Sequence, residues 1–208
     1  VIVATDDTRI LKVVNNNGGT AVMTSVDHES GTDRVAEVAR DKGCDIVVNV
    51  QGDEPLMPPQ NIDQVVMPLI EDPSTLVSSL RILIKDPKEL WSQNITKVVV
   101  DNFDSALYFS KAPIPWNRDA WSEDCPKTLN SSLWYKHVGL YAYRKKFLME
   151  YTSLPLTPLE KMEKLEQLRI LENGFSIKVV ETAFDSTGVD SEADIKIIEK
   201  QLALSTEN

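Results

Sequence analysis

The sequence predicts an α/β fold: a mostly parallel sheet flanked by helices, with a small antiparallel insertion near residues 95–145. Three observations carry this expectation. Across residues 1–50, short β-branched apolar runs alternate with amphipathic stretches, the pattern of βαβ units. Residues 97–101 and 106–110 are two strand-like runs separated by Asn102-Phe103-Asp104, which reads as a hairpin. The last third returns to helix, strand and helix in succession.

Taken in order, Val1-Ile2-Val3-Ala4 suits a buried strand. Thr5-Asp6-Asp7-Thr8 supplies capping side chains for a short helix carrying Ile10, Leu11, Val13 and Val14, and Gly18-Gly19 ends it. Residues 20–24 form a second strand candidate, and residues 32–41 an amphipathic helix with Val35, Val38 and Ala39 on one side. Residues 45–50 are a third strand, which runs into the loop Gln51-Gly52-Asp53-Glu54-Pro55. In open parallel sheets, ligands bind outside the carboxyl ends of the strands. Thr5-Asp6-Asp7 and the Gln51 loop both fall at such ends.

Beyond the hairpin, residues 111–133 are polar and proline-punctuated, with Trp116, Trp121 and Trp134 in or just after them. A connection that long inside a compact domain is usually functional or mobile. Residues 135–143 read as a strand and 145–152 as a short helix. After Pro155 and Pro158, residues 159–173 are expected to form one helix, with Met162, Leu165, Leu168 and Leu171 as its apolar stripe and Gly174 closing it. Residues 176–182 form a strand, 185–190 a loop, and 191–204 a closing helix.

Composition narrows the function classes. The chain has 208 residues, with Lys+Arg 22 against Asp+Glu 32, a net charge of −10. That length fits one domain. So acidic a chain is a poor non-specific binder of nucleic acid or anionic membrane, whose affinity comes largely from Lys and Arg at phosphates. No apolar run approaches the ~20 residues of a membrane span, and the opening residues show no signal-peptide pattern. Cys44 and Cys125 form no CxxC pair, so a reducing cytoplasm is the expected compartment. None of the 8 glycines spells a dinucleotide fingerprint or a P-loop.

The candidate chemistry lies in acidic loops. Asp53 follows an apolar strand, and Asp190 lies in Asp185-Ser186-Thr187-Gly188-Val189-Asp190, again between strand and helix. Two aspartates from separate strand ends could hold Mg²⁺, which takes one or two carboxylates plus water and phosphate oxygens. They could equally be solvated turns, with Asp190 capping the helix that begins at Ser191. His137 reads as a structural histidine on a strand, and His28 as a loop residue. Glu166 and Gln167 lie off the apolar stripe and read as a solvated face. Lys111, Arg118 and Arg144 would form a cationic pocket only if the insertion folded over the mouth of the sheet.

An ordered series of segments adds to this. It runs Ala4-Thr5-Asp6-Asp7, Ser30-Gly31-Thr32-Asp33-Arg34, Val50-Gln51-Gly52-Asp53-Glu54-Pro55, Lys97-Val98-Val99, Tyr108-Phe109-Ser110-Lys111 and Ile114-Pro115-Trp116. It continues with His137-Val138-Gly139-Leu140-Tyr141, Leu165-Glu166-Gln167-Leu168-Arg169 and Gly188-Val189-Asp190. Together these resemble the 3-deoxy-manno-octulosonate cytidylyltransferases, or CMP-Kdo synthetases, over essentially the whole chain. The resemblance implies a Rossmann-like, mostly parallel sheet of the nucleotidyltransferase type. It implies Mg²⁺-dependent transfer of CMP from CTP to the anomeric hydroxyl of Kdo, with release of pyrophosphate, for lipopolysaccharide biosynthesis in the cytoplasm. Asp53 and Asp190 match the family's metal-binding aspartates; Gln51, Thr32 and Arg34 match the nucleotide side. Arg118, Tyr141, Glu166 and Gln167 match positions that hold the sugar acid, with Lys111 and His137 near them. A homodimer formed through a lobe near residues 95–145 is also implied.

Two departures from the family pattern set further expectations. Its basic phosphate loop has no counterpart here, so the natural protein is expected to be longer at its N-terminus, and residues 1–208 alone to fold only partly well and not to turn over. Lys111 stands where the family usually has Arg, keeping the charge but losing bidentate carboxylate recognition. Two alternative readings are a non-catalytic CMP-binding or dimerising relative and a cytidylyltransferase for a related sugar acid.

Overall fold

The computed structural model describes residues 1–208 apart from 122–125, 130–132, 187, 190, 191 and 206–208. Strand and helix alternate at first: β1 (Val3–Thr5), α1 (Thr8–Asn16), β2 (Ala21–Met23), α2 (Gly31–Arg40), β3 (Ile46–Val50), α3 (Pro59–Glu71) and β4 (Val77–Leu83). A short helix α4 (Pro87–Trp91) leads to β5 (Lys97–Val100), β6 (Ala106–Ser110) and the long β7 (Tyr135–Arg144). The chain closes with α5 (Lys145–Tyr151), α6 (Pro158–Glu163), α7 (Leu168–Glu172), β8 (Lys178–Glu181) and α8 (Glu192–Ser205). Side-chain caps start the early helices: Asp7 accepts the Arg9 N–H at 2.7 Å, and Ser30 accepts the Asp33 N–H at 3.1 Å. Gly18 and Gly174, at φ of 78° and 81°, follow α1 and α7 in the left-handed conformation that glycine adopts without cost.

The sheet corrects the expectation of a mostly parallel, Rossmann-like core. The main sheet has six strands in the order β6-β5-β7-β4-β8, with β3 also on β7. β7 pairs antiparallel with β3, β4 and β5, and β5 pairs antiparallel with β6. Among the described residues only β4–β8 is a parallel pair in this sheet, while β1 and β2 form a separate two-stranded parallel sheet. The physical reason is the origin of the central strand. The βα alternation through residues 46–83 does make β3 and β4 point the same way, since both run against β7. The strand lying between them comes from residues 135–144 and enters from the opposite direction. What reads as a small antiparallel insertion thus supplies the centre of the sheet.

A second correction concerns residues 159–173, which form two helices rather than one. The chain breaks at Lys164, whose φ of 58° is left-handed. Glu166 and Gln167 therefore lie in the turn between α6 and α7. Met162 is 81% exposed, off any apolar stripe, whereas Leu165 and Leu168 are buried.

Period-2 alternation along β7 feeds two cores. Val138, Leu140 and Ala142 pack with Leu80 against Val65 and Leu69 of α3. Tyr141 and Tyr143 face the other way, with Ala36 and Ala39 of α2, Phe147, Leu148 and Tyr151 of α5, and Leu168 and Ile170 of α7. A third cluster joins Ile84, Leu90, Trp121 and Trp134, with Trp91 against it, at the far end of β4. Trp121 stacks on Trp134 at 4.8 Å between ring centroids, and Trp134 Nε1 donates to the Pro115 carbonyl at 2.9 Å.

Candidate active site

β3, β4 and β8 point in one direction, so the loops following β3 and β8 emerge at the same end of the sheet. There they touch: Val189 N–H donates to the Asp53 carbonyl at 2.8 Å, and Gly188 lies against Glu54. The loop after β8 is braced twice more. Buried Asn61 of α3 donates from Nδ2 to the Phe184 carbonyl at 2.9 Å and accepts the Thr182 hydroxyl at 2.7 Å. Lys136 of β7 bridges Asp185 and Glu89, each at 2.8 Å.

Asp53 is exposed at this mouth. Asp190 lies outside the described residues, as does Cys125. Among the described residues no three His, Cys, Asp or Glu side chains group as a metal cage. The donor chemistry suits Mg²⁺ nevertheless, because that ion needs few protein carboxylates when phosphate oxygens and water complete its octahedron. An exposed aspartate on a braced loop is such a donor. Gln51, two residues before Asp53, lies between α2 and β7: a Cβ on Gly31 would stand 3.5 Å from its Oε1, and one on Gly139 3.8 Å from its Cγ.

On the side of α2, the structure joins residues far apart in sequence. The Thr32 hydroxyl is buried and donates to Glu166 Oε1 at 2.7 Å, while Asn49 Nδ2 donates to Thr32 Oγ1 at 3.2 Å. Asn49 is on β3, two residues before Gln51, so a hydrogen-bonded chain leads from the Gln51 loop to Glu166. Tyr151 adds a bond from its hydroxyl to the Glu166 carbonyl at 2.9 Å. Burial pushes the Glu166 carboxyl above its ordinary value, with the Thr32 hydrogen bond acting in the opposite sense. Gln167 is buried beside it, which overturns the solvated-face reading. Arg34 is engaged elsewhere, donating to Asp6 at 2.8 Å, to Thr24 at 2.6 Å and to the Ser25 carbonyl.

His137 and Tyr141 share a face of β7, their rings 5.3 Å apart, with Phe109 5.0 Å from His137 on another side. His137 Nε2 is 2.7 Å from Ser79 Oγ, and that hydroxyl lies 2.8 Å from the Leu140 carbonyl. A hydroxyl has one proton. With it directed to Leu140, His137 donates from Nε2 and is neutral; burial, and then the Lys111 charge, push its pKa down to about 3. Lys111 lies where β6 ends. Its N–H donates to Glu163 Oε2 at 3.0 Å and its ammonium to the Asn94 carbonyl at 2.8 Å. Arg118 is exposed, and no hydrogen bond among the described residues ties it to this group.

The sequence singles out neither Asn49, Glu163 nor Ser79, and gives Lys97 only as part of the segment Lys97-Val98-Val99, with no role. Asn49 is the polar interruption of the apolar run Ile46-Val47-Val48, and Lys97 opens Val98-Val99-Val100. A polar residue inside a buried strand was the available signal.

The chain is of the nucleotidyl-transfer class, with an acidic loop at the strand ends and, beside it, the hydrogen-bonded chain Asn49–Thr32–Glu166. A cytidylyltransferase family model matches residues 1–181. A 3-deoxy-manno-octulosonate cytidylyltransferase of Geobacter metallireducens is 51% identical over 203 residues, covering 96% of this chain and 80% of that protein. One of Geotalea daltonii is 52% identical over the same length, with the same coverage. Among solved structures, a CMP:2-keto-3-deoxy-manno-octonic acid synthetase complexed with CTP superposes with a TM-score of 0.89 at 39% identity, over 99% of this chain and 81% of that one. The chain belongs to the 3-deoxy-manno-octulosonate cytidylyltransferase family.

Proposed function

We infer that this protein transfers CMP from CTP to the anomeric hydroxyl of 3-deoxy-manno-octulosonate (Kdo), releasing pyrophosphate and supplying an activated sugar for lipopolysaccharide biosynthesis. One observation carries the reading beyond family membership: the chain Asn49–Thr32–Glu166, which fastens the loop of Gln51 and Asp53 to the turn of Glu166 and Gln167. Two substrates that must meet in line need their two binding segments held in fixed register.

In the reaction the sugar hydroxyl oxygen forms a bond to the α-phosphorus as the bond to pyrophosphate breaks, and the hydroxyl proton leaves to solvent or a nearby base. Gln51, walled by Gly31 and Gly139, bounds the nucleotide side. Glu166, Gln167 and Tyr141 hold the sugar hydroxyls, and Lys111 faces the sugar carboxylate. His137 supports Tyr141 and Ser79 as a neutral ring and moves no proton. Asp53 and Asp190 would hold Mg²⁺, which when bound neutralises charge developing on the phosphate oxygens.

Among the described residues no helix is long and apolar enough to cross a membrane. We infer a cytoplasmic location, where CTP is available. A homodimer is part of the same proposal: β6 is an edge strand with Leu107 60% exposed, and pairing or covering such an edge is a common solution. Light scattering should give twice the chain mass; a concentration-independent monomer would contradict it. The function itself is tested by pyrophosphate release from the complete protein with CTP, Mg²⁺ and a panel of sugar acids. Release that depends on Kdo is expected, and release indifferent to the sugar acid would overturn the reading.

A further inference from the structure

Lys97, the first residue of β5, has no exposed surface. A buried ammonium is costly unless its protons are matched, and no carboxylate among the described residues lies within ion-pair reach of it. Three main-chain carbonyls take its three protons instead: Ser92 at 2.7 Å, Ile95 at 2.7 Å and Lys111 at 2.6 Å. Two of these carbonyls belong to the turn after α4, and the third belongs to Lys111, the residue that follows β6.

Lys111 is thereby gripped from both sides. Its carbonyl is held by Lys97, and its N–H donates to Glu163 Oε2, a carboxylate fixed by the Ser110 hydroxyl at 2.6 Å. Its own ammonium donates to Asn94, within the same 92–95 turn that Lys97 draws together. The two lysines thus bind one turn, Lys97 from inside and Lys111 from the outer side. Burial, and then the neighbouring Lys111 charge, hold the Lys97 pKa down to about 8, as crowding of the two ammonium groups requires. An apolar residue would fill the start of a buried strand at lower cost, so the charge has to answer to the carbonyls it collects.

We propose that Lys97 is a positioning residue for the sugar acid: by fixing the Lys111 carbonyl against the 92–95 turn, it sets where the Lys111 ammonium stands. This rests on the reading of Lys111 as the residue facing the sugar carboxylate. A neutral side chain of similar length cannot reproduce the device, because it offers no three-proton donor.

The test is a double-mutant cycle in the complete protein, reading KM for Kdo, KM for CTP and kcat in Lys97→Met, Lys111→Ala and the double variant. Each single variant should raise KM for Kdo about tenfold, with KM for CTP within about twofold of wild type. The double variant should be no worse than Lys111→Ala alone, since Lys97 acts through Lys111. Multiplying losses in the double variant would overturn the inference, as would an unchanged KM for Kdo in Lys97→Met beside a raised one in Lys111→Ala. An unchanged KM for Kdo in Lys111→Ala would instead remove Lys111 from the sugar site, and the inference with it. Should Lys97→Met fail to fold, Glu163→Gln loosens the same residue from the other side. It should raise KM for Kdo about threefold alone and add nothing to Lys111→Ala; no effect, or an additive one, would overturn the inference.

Discussion

The Thr32 hydroxyl donates to the Glu166 carboxylate across 2.7 Å although 134 positions separate the two residues. The bond spans from the first turn of α2 to the turn between α6 and α7. Two local features make it possible. Ser30 caps α2 and directs its first turn into the core, and the left-handed Lys164 breaks what would otherwise be a single helix, turning Glu166 inward.

Glu166 should trade stability for function. Burial raises its carboxyl pKa, so the ionised form is disfavoured in the folded state relative to the unfolded one. The sign is that of a raised acid: stability is lost as pH climbs through the folded pKa and recovered below the unfolded value. Glu166→Gln keeps an acceptor for Thr32 without the charge. It should raise Tm at pH 7, and the gain should shrink as pH falls to the range where an unfolded carboxyl protonates. The same variant should raise KM for Kdo about tenfold and leave that for CTP unchanged. Equal effects on both substrates would remove Glu166 from the sugar side.

Asp53 should matter for turnover and not for folding. Its side chain is exposed, and substitutions at such positions usually move stability by less than about 0.5 kcal/mol. Asp53→Asn should lower kcat by about 10²–10⁴-fold with an unchanged melting curve. Near wild-type pyrophosphate release would separate Asp53 from metal binding.

His137 should stay neutral throughout the physiological range. Its pKa, held at about 3 by burial and by Lys111, lies below that of an unfolded histidine. The sign follows: its contribution to stability is complete above about pH 6.5 and is lost as pH falls from there toward 3. At pH 5 the loss is at most about 2 kcal/mol. Proton NMR of the ring should show no titration between pH 5 and 9. A midpoint near 6.5 would contradict the Ser79–His137 geometry.

Arg169 and Glu160 form a buried pair, with bonds of 2.8 and 2.5 Å and the guanidinium 5.1 Å over the Tyr151 ring. They lock α6 against α7, on either side of the Glu166 turn. Removing one partner leaves an uncompensated buried charge, so Arg169→Met should cost about 3–5 kcal/mol in denaturant unfolding. The paired replacement Glu160→Leu with Arg169→Met should recover most of that. A single-variant loss below about 1 kcal/mol would mean that the pair is open to water.

Much of the fold was legible because it rests on local signals. The capping of α1 by Asp7, the end of α1 at Gly18 and the hairpin at residues 101–105 are short-range features, and each formed where its residues indicated. The sheet was not legible, because the choice of β7 as the strand between β3 and β4 is a pairing between residues some ninety positions apart, such as Val48 and Ala142. No local propensity encodes which strand occupies a gap. The expectation of one helix through Lys164 failed for a related reason: tertiary burial of Leu165 and Gln167 overrides a sequence with good helical periodicity. The place of the Asp53 loop at the carboxyl end of β3 was legible from strand-end logic. Lys97 and Asn49 stand out in sequence only as polar residues in apolar runs, and their partners are brought near only by the folded chain.

The central claim is that CMP passes from CTP to Kdo. It is tested most directly by following pyrophosphate release together with the ³¹P NMR spectrum of the products, using the complete protein, Mg²⁺ and each of the four ribonucleoside triphosphates with and without Kdo. The account predicts that pyrophosphate and a new cytidine monophosphate diester form together, in equal amounts, with CTP and only when Kdo is present. Pyrophosphate release without Kdo, or a diester formed equally well from the other nucleotides, would contradict it.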